Sequence, residues 1–474
     1  MKKLLAILLA VSISFILSAC GNKNSNEAVN TPTISEIEEK TEEQNQPTEA
    51  TKPTAKPSID TGYESGPFNK SATIEETIIY DENDIKITAT ELIYDNYSVN
   101  LSLLIENHSE ENLVFRSNTL GYSCNSINGL MVEDGYFSCE VNSGKKAYDT
   151  MSFEYEPLLL SGINVVSDIE VGIYYQDDDY NDVKIPPIQI KTSEFESYDY
   201  SSNTYADSIG SKTNQKEYQY TVKYLSSDVI SNDSGININS QIVSINKDDD
   251  YTLLLEIENT TNEIILFTIK DLAVNGITIN DSNFDTITIN PHKRAIASVN
   301  LISAFEKEYI DIFEITEIGK IDISIYVKDP DGKFIMEEKD FSIIIPDADS
   351  TCNLTGTELY NNNGISVTYK TNFVDTEKYS SYGFKFILII KNESNSTIRP
   401  SLDYNSLSIN GFMVDYYTYG KETNAGETTF MVVSVYKDSI DENMITSFTD
   451  AEFTFEIDSD ERSVEDSKII NITF

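Results

Sequence analysis

Tryptophan is absent from the chain, and histidine occurs only twice, at His108 and His292. Both histidines fall in predicted polar turns, so the chain holds little material for acid–base chemistry near neutral pH. Neither His-Glu-x-x-His nor Gly-x-Ser-x-Gly occurs, which excludes two common hydrolase motifs. Ser143 and Lys146 match Ser-x-x-Lys, but they lie in a predicted β-turn without the partner motifs of penicillin-binding enzymes. The sequence therefore predicts a protein that is not an enzyme.

Basic residues are scarce as well. The chain has 34 Lys plus Arg against 79 Asp plus Glu, a net charge of −45. Such a surface repels phosphate groups, which argues against nucleic acid or an anionic lipid surface as a partner. Tyr, Ile, Asn and Ser are abundant instead, and this composition is typical of β-strands joined by polar turns.

Cysteine is rare too, with four in the chain, and the first of them lies behind a leader-like segment. Lys2 and Lys3 precede an apolar run, Leu4–Leu17, which is too short to span a bilayer comfortably. Leu17-Ser18-Ala19-Cys20 resembles the bacterial lipobox, in which the cysteine is acylated, as with palmitate, and becomes residue one. The resemblance implies a signal peptide at 1–19, lipid attachment at Cys20 and an extracellular location on the outer face of the membrane. The alternative is an ordinary secretory signal that contains a cysteine.

The other cysteines are Cys124, Cys139 and Cys352. Cys124 and Cys139 fall in one segment, and outside the cell they are candidates for a disulfide that closes a small loop. Cys352 has no evident mate. The sequence leaves two alternatives open, a disulfide between Cys124 and Cys139 or two free thiols.

Residues 20–71 hold few large apolar side chains and are rich in Glu, Thr, Asn and Pro. Such a segment cannot bury enough surface to offset the entropy of ordering it, so we predict a disordered tether. Residues 193–216 are rich in Ser, Tyr and acidic residues, and this composition predicts a flexible linker. We predict a second linker at 347–354, which is shorter and stiffer.

Between these segments one pattern occurs three times, as copy one (72–192), copy two (217–346) and copy three (355–474). Its clearest marker is a hydrophobic residue before Asn-Gly, the strongest short hairpin signal. The markers are Ile127-Asn128-Gly129, Val274-Asn275-Gly276 and Ile409-Asn410-Gly411. Upstream of each marker lies an alternating strand that ends in Asn, with one face predicted to be inward. The inward sets are Val99, Leu101, Leu103 and Ile105 before Asn107; Tyr251, Leu253, Leu255 and Ile257 before Asn259; and Phe384, Phe386, Leu388 and Ile390 before Asn392.

About seven short strands per copy, with regular turn signals, predict an all-β chain of three tandem immunoglobulin-like antiparallel β-sandwiches. We expect them to be arranged like beads on a string. The lipobox, tether and repeats together resemble Gram-positive lipoproteins with sandwich domains of the type found in a small secreted mycobacterial antigen. The resemblance covers nearly the whole chain and implies location and fold, but it carries over no catalytic residue.

Two clusters are candidate sites. Asp177, Asp179, Asn181 and Asp182 place oxygen ligands in one acidic turn, and Ca²⁺ prefers such ligands, although a solvated turn needs the same residues. Apart from calcium at this turn, we expect no cofactor. Tyr416, Tyr417 and Tyr419 follow the third hairpin and are a candidate binding loop, because tyrosine offers rigid amphipathic area.

The sequence thus predicts a membrane-anchored, non-catalytic binding or adhesion module. Its expected partners are the membrane through Cys20 and a surface protein, wall polymer or host ligand. A structural spacer or envelope organiser is the alternative, and an extracellular hydrolase is less favoured. Unusual exposed aromatic residues concentrated in one copy would favour a binding module over a spacer.

Overall fold

A computed structural model of the chain describes residues 59–64, 66–117, 125–202, 204–230, 234–279, 286–375, 380–419, 422–458 and 464–474. The described fold is all-β, as the composition predicts, with antiparallel sheets and a few short helices. Residues Ile59–Phe474 form one compact unit that contains all of the hydrophobic core clusters described below. No helix in the described ranges has the length and apolar character needed to cross a membrane.

In copy one the elements are β1 (Thr77–Glu82), β2 (Ile85–Tyr94), β3 (Ser98–Asn107), β4 (Leu113–Ser117), β5 (Ser126–Ile127), β6 (Leu130–Met131), β7 (Ser138–Val141), β8 (Lys145–Glu154), α1 (Tyr155–Leu160), β9 (Asp168–Gln176) and β10 (Asp182–Lys191). A 3-10 turn, Phe195–Ser197, and helices α2 (Tyr205–Gly210) and α3 (Lys212–Glu217) follow. One sheet has the order β1-β2-β3-β8, so β8 is an edge strand.

In copy two the elements are β11 (Tyr220–Ser226), β12 (Ile236–Asn246), β13 (Tyr251–Asn259), β14 (Ile265–Val274), β15 (Ile277–Thr278), β16 (Ile287–Ile289), β17 (Arg294–Asn300), α4 (Leu301–Phe305), α5 (Lys307–Ile312), β18 (Lys320–Lys328) and β19 (Phe334–Ile344). A ten-stranded sheet crosses from copy two into copy one in the order β11-β12-β13-β17-β6-β5-β9-β4-β7, with β10 on β9. The β6–β17 pairing is parallel and joins Leu130 to Arg294. A second sheet, β15-β14-β18-β19 with β16 on β14, completes copy two.

In copy three the elements are β20 (Thr357–Asn362), β21 (Ile365–Val374), β22 (Tyr382–Asn392), β23 (Arg399–Leu402), β24 (Ser408–Ile409), β25 (Phe412–Met413), β26 (Tyr416–Tyr419), β27 (Thr428–Tyr436), α6 (Lys437–Glu442), β28 (Asp450–Asp458) and β29 (Val464–Thr473). They form the sheets β20-β21-β22-β27-β26 and β23-β28-β24-β25, with β29 on β28. Side chains from both sheets fill one core cluster.

The alternating strands bury the faces that the sequence predicts. All of the predicted inward side chains of β3, β13 and β22 are at most 9% exposed. Each strand ends in a fully buried asparagine, namely Asn107, Asn259 and Asn392. In copy three the Asn392 Nδ2 atom donates to the carbonyl oxygens of Ser396 and Thr423, both at 2.8 Å. Its Oδ1 atom accepts from the backbone N–H of Ser394.

Copies one and two repeat these bonds, since Asn107 donates to Glu111 and Val141 and Asn259 donates to Glu263 and Ile289. One side chain therefore ties a strand end to two neighbouring backbone segments in each copy. Because every polar atom of this amide is used, the network fixes the loop that follows the strand.

The segment 193–216 differs from the flexible linker that its composition predicts. Tyr205, Ala206 and Ile209 of α2 are buried and pack with Leu160 of copy one and with residues of copy two, including Leu254. Helices α2 and α3 have six residues each, which is too short for a helical period to be detected in the sequence. Tertiary packing orders them instead.

The outer face of β22 is also buried, where one-sided alternation predicts exposure to solvent. On β22, Ile387 is 0% and Ile389 is 4% exposed. Both belong to the same core cluster as Phe305, Tyr309 and other residues of copy two. The copies therefore pack directly on one another and are not arranged as separate beads.

Candidate interaction surface

The predicted lipid site, Cys20, lies outside the described residues, as do the signal peptide and most of the tether. Cys124 does too, whereas Cys139 is buried in β7 and is bonded to no other cysteine among the described residues. Burial and the nearby Asp149 raise the pKa of Cys139 to about 11, so the reactive thiolate is disfavoured at neutral pH. The Cys124–Cys139 bridge stays a prediction. Cys352 is half-buried, and its thiol contacts the backbone oxygen of Asn275 at 3.3 Å.

The acidic turn satisfies its first carboxylate internally. Asp177 accepts hydrogen bonds from the backbone of Asp179 and from the backbone and side chain of Asn181. These bonds, led by the side chain of Asn181, lower the pKa of Asp177. Asp182 accepts from Gln176 at 2.8 Å. Among the described residues, no group of three or more His, Cys, Asp or Glu side chains is arranged to hold a metal ion. The geometry is that of a hydrogen-bonded turn, and calcium stays a prediction.

The hydroxyl of Ser143 and the ring of His292 also take part in turn contacts. Ser143 Oγ donates to the carbonyl oxygen of Ser109 at 2.7 Å. The His292 Nε2 atom lies 2.9 Å from Asn262 Oδ1. Both contacts hold turns, which agrees with the structural interpretation of these residues in the sequence.

The predicted tyrosine loop is a strand. Tyr416, Tyr417 and Tyr419 lie in β26, at the edge of its sheet and paired with β27. The Tyr416 hydroxyl donates to the Asp403 carbonyl oxygen at 2.7 Å, so this side chain braces a neighbouring turn. Tyr417 is 47% exposed and stacks on Tyr382 with ring centroids 6.4 Å apart. Tyr417 therefore offers an exposed ring to a partner, whereas Tyr416 braces the fold.

The Asn-Gly hairpins are more informative, because their tips differ in exposure between the copies. Asn128, Asn275 and Asn410 all adopt positive φ angles near 50°, as the hairpin signal predicts. Each accepts backbone N–H groups from the segment that starts the next long strand, such as those of Thr449 and Asp450 for Asn410. The three hairpins are therefore held in the same way.

In copies one and two the residues after Asn-Gly are buried. Leu130 is 3% and Met131 is 9% exposed, and Met131 belongs to the core cluster of copy two. Ile277 is 0% and Thr278 is 3% exposed, and their strand, β15, lies against β27 of copy three. These hairpin tips thus form part of the contacts with the following copy.

Charge also defines the contact between copies one and two. Lys293 Nζ of copy two lies 3.0 Å from Glu170 Oε2 of copy one, and both side chains are largely buried. The backbone N–H of Arg294 donates to the Gly129 carbonyl oxygen at 2.9 Å. Arg294 also pairs with the fully buried Glu256 at 3.0 Å. An acid on the hairpin side therefore meets a base on the sheet side.

In copy three the matching side chains are exposed. Phe412 and Met413, in the places of Leu130 and Met131, are 49% and 57% exposed. Met444 is 82% exposed, and the side chain of its neighbour Asn443 donates to the Met413 carbonyl oxygen at 3.2 Å. We call Phe412, Met413 and Met444 the terminal surface. Exposed apolar side chains that form a contiguous patch are a feature of interaction sites. The terminal surface could not be predicted from the sequence, because the pattern around Asn410-Gly411 is the same as that of the two covered hairpins.

No protein-family model matches the chain, and no curated protein matches it. Among solved structures, it is similar to the exo-chitosanase of Amycolatopsis orientalis at 9% identity and a TM-score of 0.17, over 49% of this chain and 26% of the other. It is also similar to a protein of unknown function from Porphyromonas gingivalis W83 at 10% identity and a TM-score of 0.14, over 48% of this chain and 92% of the other. The match spans about a quarter of the chitosanase, and similarity this low carries no functional inference.

Proposed function

We propose that the protein is a lipid-anchored, extracellular binding protein of three tandem immunoglobulin-like sandwiches that acts without catalysis. The lipobox-like segment ending in Cys20 supports the anchor. The hydrogen bonds that recur around Asn107, Asn259 and Asn392 support three copies of one domain. The terminal surface supports the binding role.

One observation carries the binding role. The Asn-Gly hairpins of copies one and two are covered where they contact the following copy. In the corresponding hairpin of copy three, Phe412 and Met413 are exposed. Exposed apolar area of this kind is costly unless a partner covers it. The criterion of exposed aromatic residues concentrated in one copy is not met, since Tyr97, Tyr136 and Tyr148 of copy one are exposed as well as Tyr404 and Phe412 of copy three, so the binding role rests on the open hairpin alone.

The stiff packing between copies would equally suit a spacer that holds another group away from the membrane. A spacer needs the contacts between copies but has no need for Phe412 or Met413. The two functions therefore differ in their response to a change at the terminal surface.

Crosslinking on intact producing cells, followed by mass spectrometry, tests the binding role. With the unit 59–474 as bait, we expect one reproducible surface partner, and we expect Phe412→Asp to reduce its capture by at least about tenfold. Phe412 is half exposed, so the variant is expected to fold. Tyr180→Asp, at a residue that is 81% exposed in the acidic turn, is the matched control and should leave capture unchanged.

The same cells test the anchor. In the chain 1–474 carrying Cys20→Ser, we expect the protein in the medium instead of the membrane fraction. Equal capture by the wild type and Phe412→Asp would favour the spacer, and membrane retention of Cys20→Ser would contradict the lipid anchor.

A further inference from the structure

The outer face of the copy-one sheet β1-β2-β3-β8 has exposed apolar side chains on its two edge strands, whereas Thr88 in its centre is 8% exposed and Leu104 is half-buried. Cross-strand pairing places Ile78 opposite Thr88, Thr88 opposite Leu104, and Leu104 opposite Tyr148. Tyr148 is 72% and Ile78 is 51% exposed. We call the row Ile78, Thr88, Leu104 and Tyr148 the receiving face.

In copy three the matching position is covered by the preceding copy, and in copy two the matching residue, Ile296, is half-buried against the core of copy one. Tyr148 lies opposite Leu104, just as Phe430 lies opposite Ile389 in copy three. Phe430 is 3% exposed and contacts three aromatic rings of copy two, with centroids 5.0–5.8 Å away. The receiving face thus has the register of a sheet that accepts a preceding domain.

The charges of the receiving face match those of the contact between copies one and two. Lys145 lies opposite Asn107 at the strand end, as Lys293 lies beside Asn259. Lys146 therefore holds the place of Arg294 on an edge strand. Both lysines are exposed, and Lys146 pairs with the Glu106 carboxylate of β3, which leaves Lys145 for an acid of a partner.

The terminal surface supplies the acidic counterpart. Glu452 lies opposite Ser408, as Glu170 lies opposite Ser126 in copy one. Glu170 is the residue that pairs with Lys293, and Glu452 is exposed. Copies three and one therefore carry both halves of one existing contact, an apolar hairpin with an acid in copy three and a sheet face with the exposed base Lys145 at its strand end in copy one.

We propose that the chain associates head to tail with a second copy of itself, the terminal surface of one chain docking on the receiving face of the next. Phe412 and Met413 take the places of Leu130 and Met131, and Glu452 pairs with Lys145. The inference rests on the proposed binding role of the terminal surface and names its partner. Because the two surfaces differ, the contact is heterologous and propagates into longer assemblies unless it closes into a ring.

Sedimentation velocity of the unit 59–474 at physiological ionic strength tests this association. We expect the wild type to form dimers and longer species as its concentration rises. Phe412→Asp and Tyr148→Asp should each weaken association by at least about tenfold, while Tyr180→Asp should not. Glu452→Lys alone should weaken it as well, and adding Lys145→Glu in the same chain should restore it.

Mixing the two weakened variants gives the sharpest result. Phe412→Asp retains an intact receiving face and Tyr148→Asp retains an intact terminal surface, so an equimolar mixture should form dimers and stop there. A wild type that stays monomeric at every concentration overturns the proposal, and so does a mixture that stays monomeric. Association lost in Phe412→Asp but kept in Tyr148→Asp would show a tail-to-tail contact, which also overturns it. If self-association fails while cell-surface capture still depends on Phe412, the proposed function stands and the partner is a different molecule.

Discussion

Phe430→Ala is expected to lower the free energy of unfolding by about 3–5 kcal/mol, the usual cost of removing a buried phenylalanine. Phe430 lies on the outer face of β27 and contacts Phe305, Tyr309 and Phe313 of copy two. Its loss leaves a cavity in the contact between two copies and leaves the interior of copy three intact. Urea unfolding followed by circular dichroism measures the change, and we expect copies two and three to separate into distinct transitions.

Phe334→Ala is the matched control. Phe334 is 45% exposed and lies on β19 of copy two, so its truncation is expected to cost less than about 1 kcal/mol. If Phe430→Ala were equally mild, the contact between copies would be loose, and the arrangement would be closer to beads on a string.

Asn392→Asp is expected to destabilise copy three by about 3–5 kcal/mol, as for an uncompensated buried charge. The substitution keeps the size of the side chain but replaces an amide that donates to the carbonyl oxygens of Ser396 and Thr423. The new carboxylate would face these two oxygens without a proton to offer them. Thermal and urea unfolding of the unit 59–474 measure the loss.

Asn361→Asp gives the comparison. Asn361 is exposed, and its amide donates to the exposed Glu358 carboxylate, so a change below about 1 kcal/mol is expected. A similarly small effect at Asn392 would mean that the hydrogen bonds of the strand-end asparagine do not stabilise the fold. The argument for three copies of one domain would then lose its main support.

The sequence predicts the strands well, because each copy combines a period-two apolar pattern with Asn-Gly. The inward side chains of β3, β13 and β22 and the positive φ angles at Asn128, Asn275 and Asn410 follow from local rules. Alternation says nothing about the second face of a strand. In β22 the run Phe386–Ile390 is apolar at every position, and such a run indicates burial on both faces.

The contacts between copies could not be predicted from local sequence patterns. Glu170 and Lys293 are far apart in sequence, and nothing local indicates that they meet. The exposure of Phe412 has no local signal either, since Leu130 follows an identical Asn-Gly and is buried. Both facts depend on which domain lies beside the hairpin. The tyrosines of β26 illustrate the converse, because pairing with β27 makes the predicted loop a strand.

Methionine oxidation tests the central claim most directly, since Met131 and Met413 hold the same place in two hairpins. Met131 is 9% exposed, whereas Met413 and Met444 are 57% and 82% exposed. Dilute peroxide followed by peptide mass spectrometry gives the oxidation rate of each residue, which follows its exposure. We predict rapid oxidation of Met413 and Met444, slow oxidation of Met131, and slowing at Met413 as the chain concentration rises. Oxidation of Met131 and Met413 at equal rates would contradict the claim that one hairpin is covered and the other is open.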